Sequence, residues 1–240
     1  MKAFFIALLA ATFFAGCNAQ TNTKPITDMT ASTGSTSKGG VYSYLALGDS
    51  YTIGEAVPQA QSFPYQLTAS LNRLGEDVMD PTIIATTGWT TDNLINAISQ
   101  SNIHGKTYDF VTLLIGVNDQ YQGLSQTNYR TNFKTLLSTA ITFAKGDTSR
   151  VFVISIPDYG VTPFAQGRES TIGPLIDQFN AINLDESQKA GVHYVNITPI
   201  SKSAANDLTL VAQDGLHPSA KMYGLWVSLL EPLVKARLDK

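Results

Sequence analysis

Short apolar runs alternate with amphipathic stretches along most of this chain. Each apolar run is bounded by turn residues, and its length suits a strand that other elements cover on both faces. Five such runs follow one another between residues 42 and 197, and we predict each of them to be a strand. The predicted strands are Tyr42–Leu47, Val78–Ala85, Phe110–Ile115, Val151–Ile156 and Val192–Ile197.

The amphipathic stretches between and after these runs have the periodicity of helices. In the first, Leu67, Leu71 and Leu74 fall on one face. Ser62 is placed to cap its start and Gly75 to end it. The predicted helices are Ser62–Leu74, Asp92–Gln100, Asn128–Ala144, Pro174–Ala190 and Ser219–Arg237.

This alternation predicts an α/β fold. Strand, helix and parallel strand joined in series form right-handed βαβ units, with helices covering both faces of the sheet. We therefore predict a three-layer α/β/α sandwich around a central parallel sheet of about five strands, spanning residues 41–240. Reactive groups in such a fold gather at the carboxyl ends of the strands.

The start of the chain is typical of an export signal. Lys2 gives it a positive charge, and the apolar run Ala3–Phe14 is too short to span a bilayer as a mature helix. Small residues directly before Cys17 resemble a bacterial lipobox, so residues 1–17 are predicted to be a signal peptide and Cys17 to be lipidated. The alternative is cleavage by an ordinary signal peptidase after Ala19. The chain is expected to be a membrane-anchored lipoprotein of a bacterial envelope, or otherwise secreted or periplasmic.

Residues 18–40 are rich in Thr, Ser, Gly and Lys and have almost no large apolar side chains. Such a segment buries too little surface to offset the entropy of ordering it, so we predict a flexible tether. The formal net charge of the chain is -3 and its basic residues are scattered singly, which argues against a nucleic-acid partner. The only membrane contact that we expect is the lipid anchor.

Two motifs carry residues for nucleophilic chemistry. Gly48-Asp49-Ser50 directly follows the first predicted strand, but a serine hydroxyl needs a base within hydrogen-bond reach to become a nucleophile. Asp214 and His217 are three residues apart, which is close enough for the carboxylate to orient the imidazole as that base. Each motif alone is equally typical of an ordinary turn or helix cap.

Two further motifs supply candidate amide donors. Asn118 lies in Gly116-Val117-Asn118-Asp119, directly after the third predicted strand, and Gly88 follows the second. A side-chain amide from Asn118 could stabilise a developing oxyanion, and glycine lets a substrate approach the backbone N–H closely. Both positions are also compatible with simple turns.

Taken in order, these four motifs resemble the conserved blocks of the SGNH (GDSL-type) hydrolase family, from about Tyr42 to the C-terminus. The segment Gly48–Gly54 resembles the first block, with Tyr51 in place of the usual leucine. Gly88 resembles the glycine of the second block, although Thr87 stands where an asparagine is common. Gly116-x-Asn118-Asp119 and Asp214-x-x-His217 resemble the third and fifth blocks.

The resemblance implies a serine esterase that needs no cofactor and no metal. It makes Ser50 the nucleophile, His217 the base and Asp214 the residue that orients His217. The backbone N–H groups of Ser50 and Gly88, with the Asn118 amide, would form the oxyanion hole. The expected substrates are short-chain acyl esters or O-acetyl esters of small molecules or polysaccharides, hydrolysed through an acyl-enzyme.

Residues beside the motifs are given supporting roles. Asp49 and Asp119 are expected to hold loop backbones. Three aromatic residues either wall a substrate pocket or simply pack, and the long loop Pro157–Gly173 is either a substrate-shaping flap or an irregular connection. The aromatic residues are Trp89, Tyr121 and Tyr159, and Phe164 and Arg168 lie within the loop.

Two other functions remain open at this point. A metal-dependent phosphoester hydrolase would draw on oxygen and nitrogen ligands near the motifs, but such sites usually use several histidines. His104 and His193 lie away from the motifs and are predicted to be a surface and a structural residue. A non-catalytic cell-surface binding module is the other alternative. The candidate ligands are Asp49, Asn118, Asp119, Asp214 and His217.

Overall fold

Within residues 41–239, which are the part of the chain that the computed structural model describes, the strands form one fully parallel sheet. The strand order is β2-β1-β3-β4-β5, so the chain moves first to one side of β1 and then to the other. The predicted signal peptide with Cys17 and the predicted tether, residues 18–40, lie outside the described residues. The strands are β1 (Tyr44–Gly48), β2 (Thr82–Ala85), β3 (Phe110–Leu114), β4 (Val151–Ile154) and β5 (His193–Val195).

Helices cover the sheet on both sides. Among the described residues, α2 and α8 pack against each other, and α5 packs against both α3 and α6. This arrangement confirms the predicted three-layer α/β/α fold with a parallel sheet of five strands. The α-helices are α1 (Ser50–Ile53), α2 (Phe63–Arg73), α3 (Thr91–Gln100), α4 (Val117–Tyr121), α5 (Gln126–Phe143), α6 (Glu169–Ala190), α7 (Thr198–Lys202) and α8 (Ala220–Leu238).

The inner strands of the sheet are more deeply buried than the edge strand β2. Every residue of β1, β3 and β4 is buried, whereas β2 is half-buried along its whole length because it forms one edge of the sheet. Leu47 in β1 pairs with Ile84 of β2 and Leu113 of β3. The carboxyl ends of these three strands therefore meet at one edge of the sheet, and the turns that follow them lie side by side.

The second predicted strand was too long. Only Thr82–Ala85 is a strand, because Pro81 has no N–H to donate and interrupts the ladder. Val78, at the other end of the predicted run, makes only an isolated parallel bridge with Tyr42. The fifth strand is likewise shorter than predicted, at His193–Val195.

The predicted helices begin within two residues of their observed starts except α6, and one predicted helix cap is also wrong. Helix α6 begins at Glu169 rather than Pro174, because a proline one turn and a half from a helix start removes only one internal hydrogen bond. Ser62 occupies the cap position of α2, but its hydroxyl donates to the carbonyl of Gln59 and does not cap the helix. The predicted loop Pro157–Gly173 is consequently shorter and contains two 3₁₀ helices. These are Tyr159–Val161 and Pro163–Ala165.

The described residues include no helix that combines the length and the apolar character needed to cross a bilayer.

Candidate active site

The turn after β1 presents a serine at the edge of the sheet. Ser50 is the first residue of α1, and the side chain of Asp49 accepts the backbone N–H of Tyr51 at 3.0 Å. A side chain at position 48 would lie 2.1 Å from the Thr52 hydroxyl, so only glycine fits there. Ser50 is 5% exposed and faces the cavity described below. The sequence thus builds a tight turn that holds one hydroxyl at the carboxyl end of the central strand.

A single turn carries the candidate base and its carboxylate partner. One oxygen of Asp214 lies 2.5 Å from Nδ1 of His217, and the other accepts the backbone N–H groups of Leu216 and His217 at 3.0 Å each. Partial burial would raise the pKa of Asp214, but these hydrogen bonds outweigh it and hold the pKa below its ordinary value. Asp214 is therefore ionised at neutral pH. It fixes the proton on Nδ1 and leaves Nε2 free to accept another.

The candidate residues converge on one cavity of about 170 Å³. Ser50, Gly88, Asn118 and His217 all line it, while Asp214 lies behind the imidazole. Within residues 41–239, no hydrogen bond joins the Ser50 hydroxyl to the His217 ring. Such catalytic hydrogen bonds are often long without substrate and shorten in the reactive complex.

The turns after β2 and β3 supply the candidate oxyanion donors. Gly88 has a φ of 82°, and no heavy atom lies within 4 Å of the place where a Cβ would be. Gly88 also lines the cavity, so a substrate can approach its backbone closely. The Asn118 amide donates one hydrogen bond to the carbonyl of Trp89 at 2.9 Å, which leaves its second N–H for another acceptor. The role of these groups as an oxyanion hole remains a prediction.

Asp119 connects, through hydrogen bonds, the turns after β2 and β3 that carry the candidate oxyanion donors. Its carboxylate accepts the hydroxyl of Thr91 at 2.6 Å and the backbone N–H of Thr91 at 2.9 Å. Together with the bond from Asn118 to Trp89, these contacts fix the segment that follows Gly88 against the turn after β3. This is the loop-holding role that the sequence analysis expects for Asp119.

Asp49 is the carboxyl group near the site that combines full burial with the fewest hydrogen bonds. It is fully buried, and one of its oxygens has no hydrogen-bond partner among the described residues. Burial raises its pKa to about 8; the hydrogen bond from Tyr51 opposes this rise and the negative charge of Asp119 adds to it. Asp49 therefore carries a proton at neutral pH, although it directly precedes the candidate nucleophile.

Aromatic and apolar side chains form the rest of the cavity. Tyr121 and Tyr159 line the cavity, as one of the two interpretations of these aromatic residues predicts. Trp89 does not line it: its side chain packs against the hydrophobic core, and its carbonyl accepts the Asn118 amide. Sequence reasoning gave no role to the ring of Tyr51, which packs edge-on to His217 with ring centroids 5.5 Å apart. The lining residues to which it gave no role are Thr87, Val117 and Leu216, whereas Phe164 lines the cavity from the loop that one interpretation makes a substrate-shaping flap.

The other two histidines lie away from this cavity. His104 is exposed and bonds the carbonyl of Ser99, while His193 stacks on Phe152 at 4.9 Å, as their surface and structural assignments predict. Among the described residues, no group of three or more His, Cys, Asp or Glu is placed to hold a metal ion. Two of the three carboxylates named as candidate metal ligands are engaged otherwise, since Asp119 accepts two hydrogen bonds from Thr91 and Asp214 is bonded to His217.

Comparisons with solved structures show where this fold recurs. The lipase/acylhydrolase from Enterococcus faecalis is 19% identical, with a TM-score of 0.65 over 82% of this chain and 96% of that chain. The psychrotrophic esterase EstA from Pseudoalteromonas sp. is 18% identical, with a TM-score of 0.63 over 83% and 100%. A family 3 carbohydrate esterase from Clostridium thermocellum is 22% identical, with a TM-score of 0.63 over 84% and 100%. At these identities the likeness establishes the fold.

Sequence comparison establishes the family. The model of the GDSL-like lipase/acylhydrolase family matches residues 46–225, which is well over half of the chain and includes all four motifs. No protein of curated function matches the sequence significantly. The predicted family and enzyme class are thus confirmed: the chain belongs to the GDSL-like lipase/acylhydrolase family and is a carboxylic ester hydrolase.

Proposed function

We propose that this ester hydrolase is serine-dependent and acts through an acyl-enzyme at Ser50. The Ser50 hydroxyl attacks the ester carbonyl carbon while His217 Nε2 takes its proton. The negative charge moves to the carbonyl oxygen, where Gly88, Asn118 and the Ser50 N–H donate to it. The intermediate collapses as His217 returns the proton to the leaving alcohol. Water, deprotonated by His217, then releases the acid and restores Ser50.

One observation carries this proposal. A serine at the end of the central strand and a histidine from a distant turn line the same cavity, and the histidine's other ring nitrogen is held by a carboxylate. The candidate oxyanion donors border the same space. This arrangement supports the proposal, because acyl transfer requires a nucleophile, a base, a group that orients the base and donors that stabilise the anion.

The size of the cavity supports short acyl groups. A volume of about 170 Å³ is below the roughly 300–1,000 Å³ that is typical for larger ligands, so we infer acetyl or similarly short acyl chains. Two proteins with this fold are a family 3 carbohydrate esterase from Clostridium thermocellum and an acetylxylan esterase from Geobacillus stearothermophilus. These activities support O-acetyl esters as one substrate class for this chain.

The test is a substrate series run beside a nucleophile variant. We expect p-nitrophenyl esters to be hydrolysed best at C2–C4 and progressively less towards C16, with acetylated xylan as a further substrate. Ser50→Ala should abolish turnover, and a serine-directed phosphonate should add its mass to the peptide that contains Ser50. The matched control is Ser203→Ala, an exposed serine that does not line the cavity. Full turnover by Ser50→Ala would overturn the mechanism.

The same experiment separates the two alternatives. Activity that survives a chelator but not the phosphonate is expected, whereas a metal-dependent phosphoester hydrolase would show the reverse. A binding module would bind the esters without turning them over. The hydrogen bonds already made by Asp119 and Asp214 support the serine mechanism over metal ligation.

We also propose that the protein is exported and lipidated at Cys17. The support is sequence-based: a charged start, a short apolar run and small residues directly before the chain's single cysteine. Cells expressing the wild-type protein should incorporate labelled palmitate into it and retain it in the membrane fraction. Cys17→Ser should lose both properties. Equal labelling of the variant would contradict the proposal.

A further inference from the structure

Three aromatic rings form a partly open wall beside the candidate nucleophile. The ring centroids of Tyr121, Tyr159 and Phe164 lie 6.2–6.3 Å from one another, with tilted or edge-on planes. Tyr159 is buried, but Tyr121 is 56% exposed and Phe164 is 38% exposed. All three line the cavity. Each ring uses only part of its surface in these contacts. Tyr121 and Phe164 therefore present apolar surface to a molecule that enters the cavity. We call these three residues the aromatic rim.

The aromatic rim is attached to the turn that carries the base. The backbone N–H of Phe164 donates to the carbonyl of Gly215 at 2.9 Å, and Gly215 lies between Asp214 and His217. A Cβ at position 215 would lie 3.4 Å from Pro163, so the two segments are in close contact. In the proposed mechanism His217 returns its proton to the leaving alcohol. That alcohol must therefore lie beside His217, on the side of the cavity where this contact places Phe164.

We propose that the aromatic rim binds the alcohol portion of the ester and that this alcohol is an uncharged ring. The inference rests on the proposed serine mechanism. A rigid ring offers a flat face to Tyr121 and Phe164, whereas a flexible alkyl chain loses rotational freedom when it is held against them. No Asp, Glu, Lys or Arg stands among the described residues that line the cavity, so none of these side chains is there to pair with a charged alcohol of either sign. The ring is either carbocyclic or part of a sugar, and the last experiment below distinguishes the two.

The test compares two acetate esters whose alcohols have the same number of carbons and similar acidity. We expect a higher kcat/KM for cyclohexyl acetate than for n-hexyl acetate with the wild-type enzyme. Phe164→Leu and Tyr121→Leu should each lower this ratio by about 2- to 10-fold, since one aromatic contact is removed while an apolar side chain remains. Tyr65→Leu is the matched control, because Tyr65 lies in α2 and does not line the cavity. It should leave the ratio unchanged.

The possible failures are distinguishable. If neither acetate is hydrolysed by the wild-type enzyme, the proposed function itself is wrong. If both are hydrolysed but the ratio is near one, or is the same in the rim variants as in the wild type, the aromatic rim does not select a ring and the inference is overturned.

A third substrate identifies the kind of ring. The hydroxyl of Tyr121 is available to bond a sugar hydroxyl but has no use with a carbocycle. For a sugar alcohol, Tyr121→Phe should lower kcat/KM for a monoacetylated methyl xyloside several-fold more than it lowers kcat/KM for cyclohexyl acetate. Faster turnover of cyclohexyl acetate than of the xyloside, with both affected alike by Tyr121→Phe, indicates a carbocyclic alcohol.

Discussion

The side chains in the floor and in the rim of the cavity are held in place by different forces, although the rim's backbone is also hydrogen-bonded at Phe164. The floor consists of the turns after β1 and β3, where Asp49 bonds the backbone of Tyr51 and Asp119 makes two hydrogen bonds to Thr91. The rim consists of aromatic rings in contact with one another, two of them exposed. Directional bonds specify position to within a few tenths of an ångström, whereas ring contacts tolerate rearrangement.

This difference matches what each region must do. Groups that stabilise a developing charge have to be oriented before the reaction, because reorienting them during it would cost free energy. Groups that recognise the alcohol need only offer complementary surface. We therefore expect substitutions in the floor to change kcat, and substitutions in the rim to change the choice of substrate.

The largest effect is expected from Asp214→Asn. The amide cannot hold the proton on Nδ1 as the carboxylate does, so the imidazole no longer presents Nε2 as the base. By analogy with the same change in a serine protease triad, kcat should fall by about 10⁴. Turnover of p-nitrophenyl acetate measures this. Asp207→Asn, which alters a carboxylate that does not line the cavity, should retain wild-type kcat. A loss of less than tenfold at position 214 would show that Asp214 does not orient the base.

The next largest effect is expected from Asn118→Ala. Removing a single oxyanion donor costs on the order of 10²–10³ in kcat in a comparable site. KM should change little, because the donor acts mainly on the transition state. Asn96→Ala, at an exposed position of α3, is the matched control. A rise in KM with unchanged kcat would instead assign Asn118 to ground-state binding.

The stability of Asp49→Asn relative to the wild type should rise with pH. Burial raises the pKa of Asp49 from 3.8 to about 8, so between these values the folded protein binds a proton that the unfolded chain has released. The stability of the wild type therefore falls as pH rises through this window, by at most about 1.4 kcal/mol per pH unit. Asparagine does not titrate and keeps an oxygen for the Tyr51 N–H.

Urea unfolding of both proteins at pH 4, 6, 8 and 9 checks this prediction. The free energy of unfolding of the variant minus that of the wild type should be smallest at pH 4, grow up to pH 8 and then level off. A difference that is constant over the whole range would mean that Asp49 titrates alike in the folded and unfolded states.

The smallest effect is expected at the rim. Tyr121→Ala should change the free energy of unfolding by less than about 0.5 kcal/mol, because the side chain is more than half exposed. Urea unfolding at neutral pH measures it. A loss of 2 kcal/mol or more would mean that the aromatic rim stabilises the fold in addition to binding the substrate. The rim and the floor would then not differ in their roles as proposed here.

Sequence patterns predicted the parts of the fold that are decided locally. β1, β3 and β4 are buried on both faces, so their residues are almost all apolar and their starts or ends were misplaced by at most two residues. The largest errors in the predicted element boundaries occur at prolines, where the effect of the proline and the pattern of the neighbouring residues point to different boundaries. Pro81 shortens the second predicted run, and Pro174 is tolerated inside α6 although prolines commonly mark a helix start.

The residues of the candidate site were predictable from motif spacing, but their surroundings were not. Ser50, Asn118 and His217 occupy turns that follow strands or precede a helix, and such positions can be identified in the sequence. The contact of Tyr51 with His217 and the hydrogen bond from Phe164 to Gly215 join segments far apart in the chain. Nothing in the local sequence of either partner specifies these contacts, because they depend on how helices and loops pack across the sheet edge.

The proton-handling pair has one consequence for how the enzyme can be controlled. Asp214 and His217 belong to the same four-residue turn, and three hydrogen bonds within that turn fix the carboxylate relative to the imidazole. A displacement of the turn moves both groups together and leaves their bond intact. What changes is the gap between the imidazole and the hydroxyl on the opposite wall. Any molecule that pulls on the segment bonded to Gly215 would thus weaken the nucleophile by widening this gap, while the Asp214–His217 hydrogen bond stays intact.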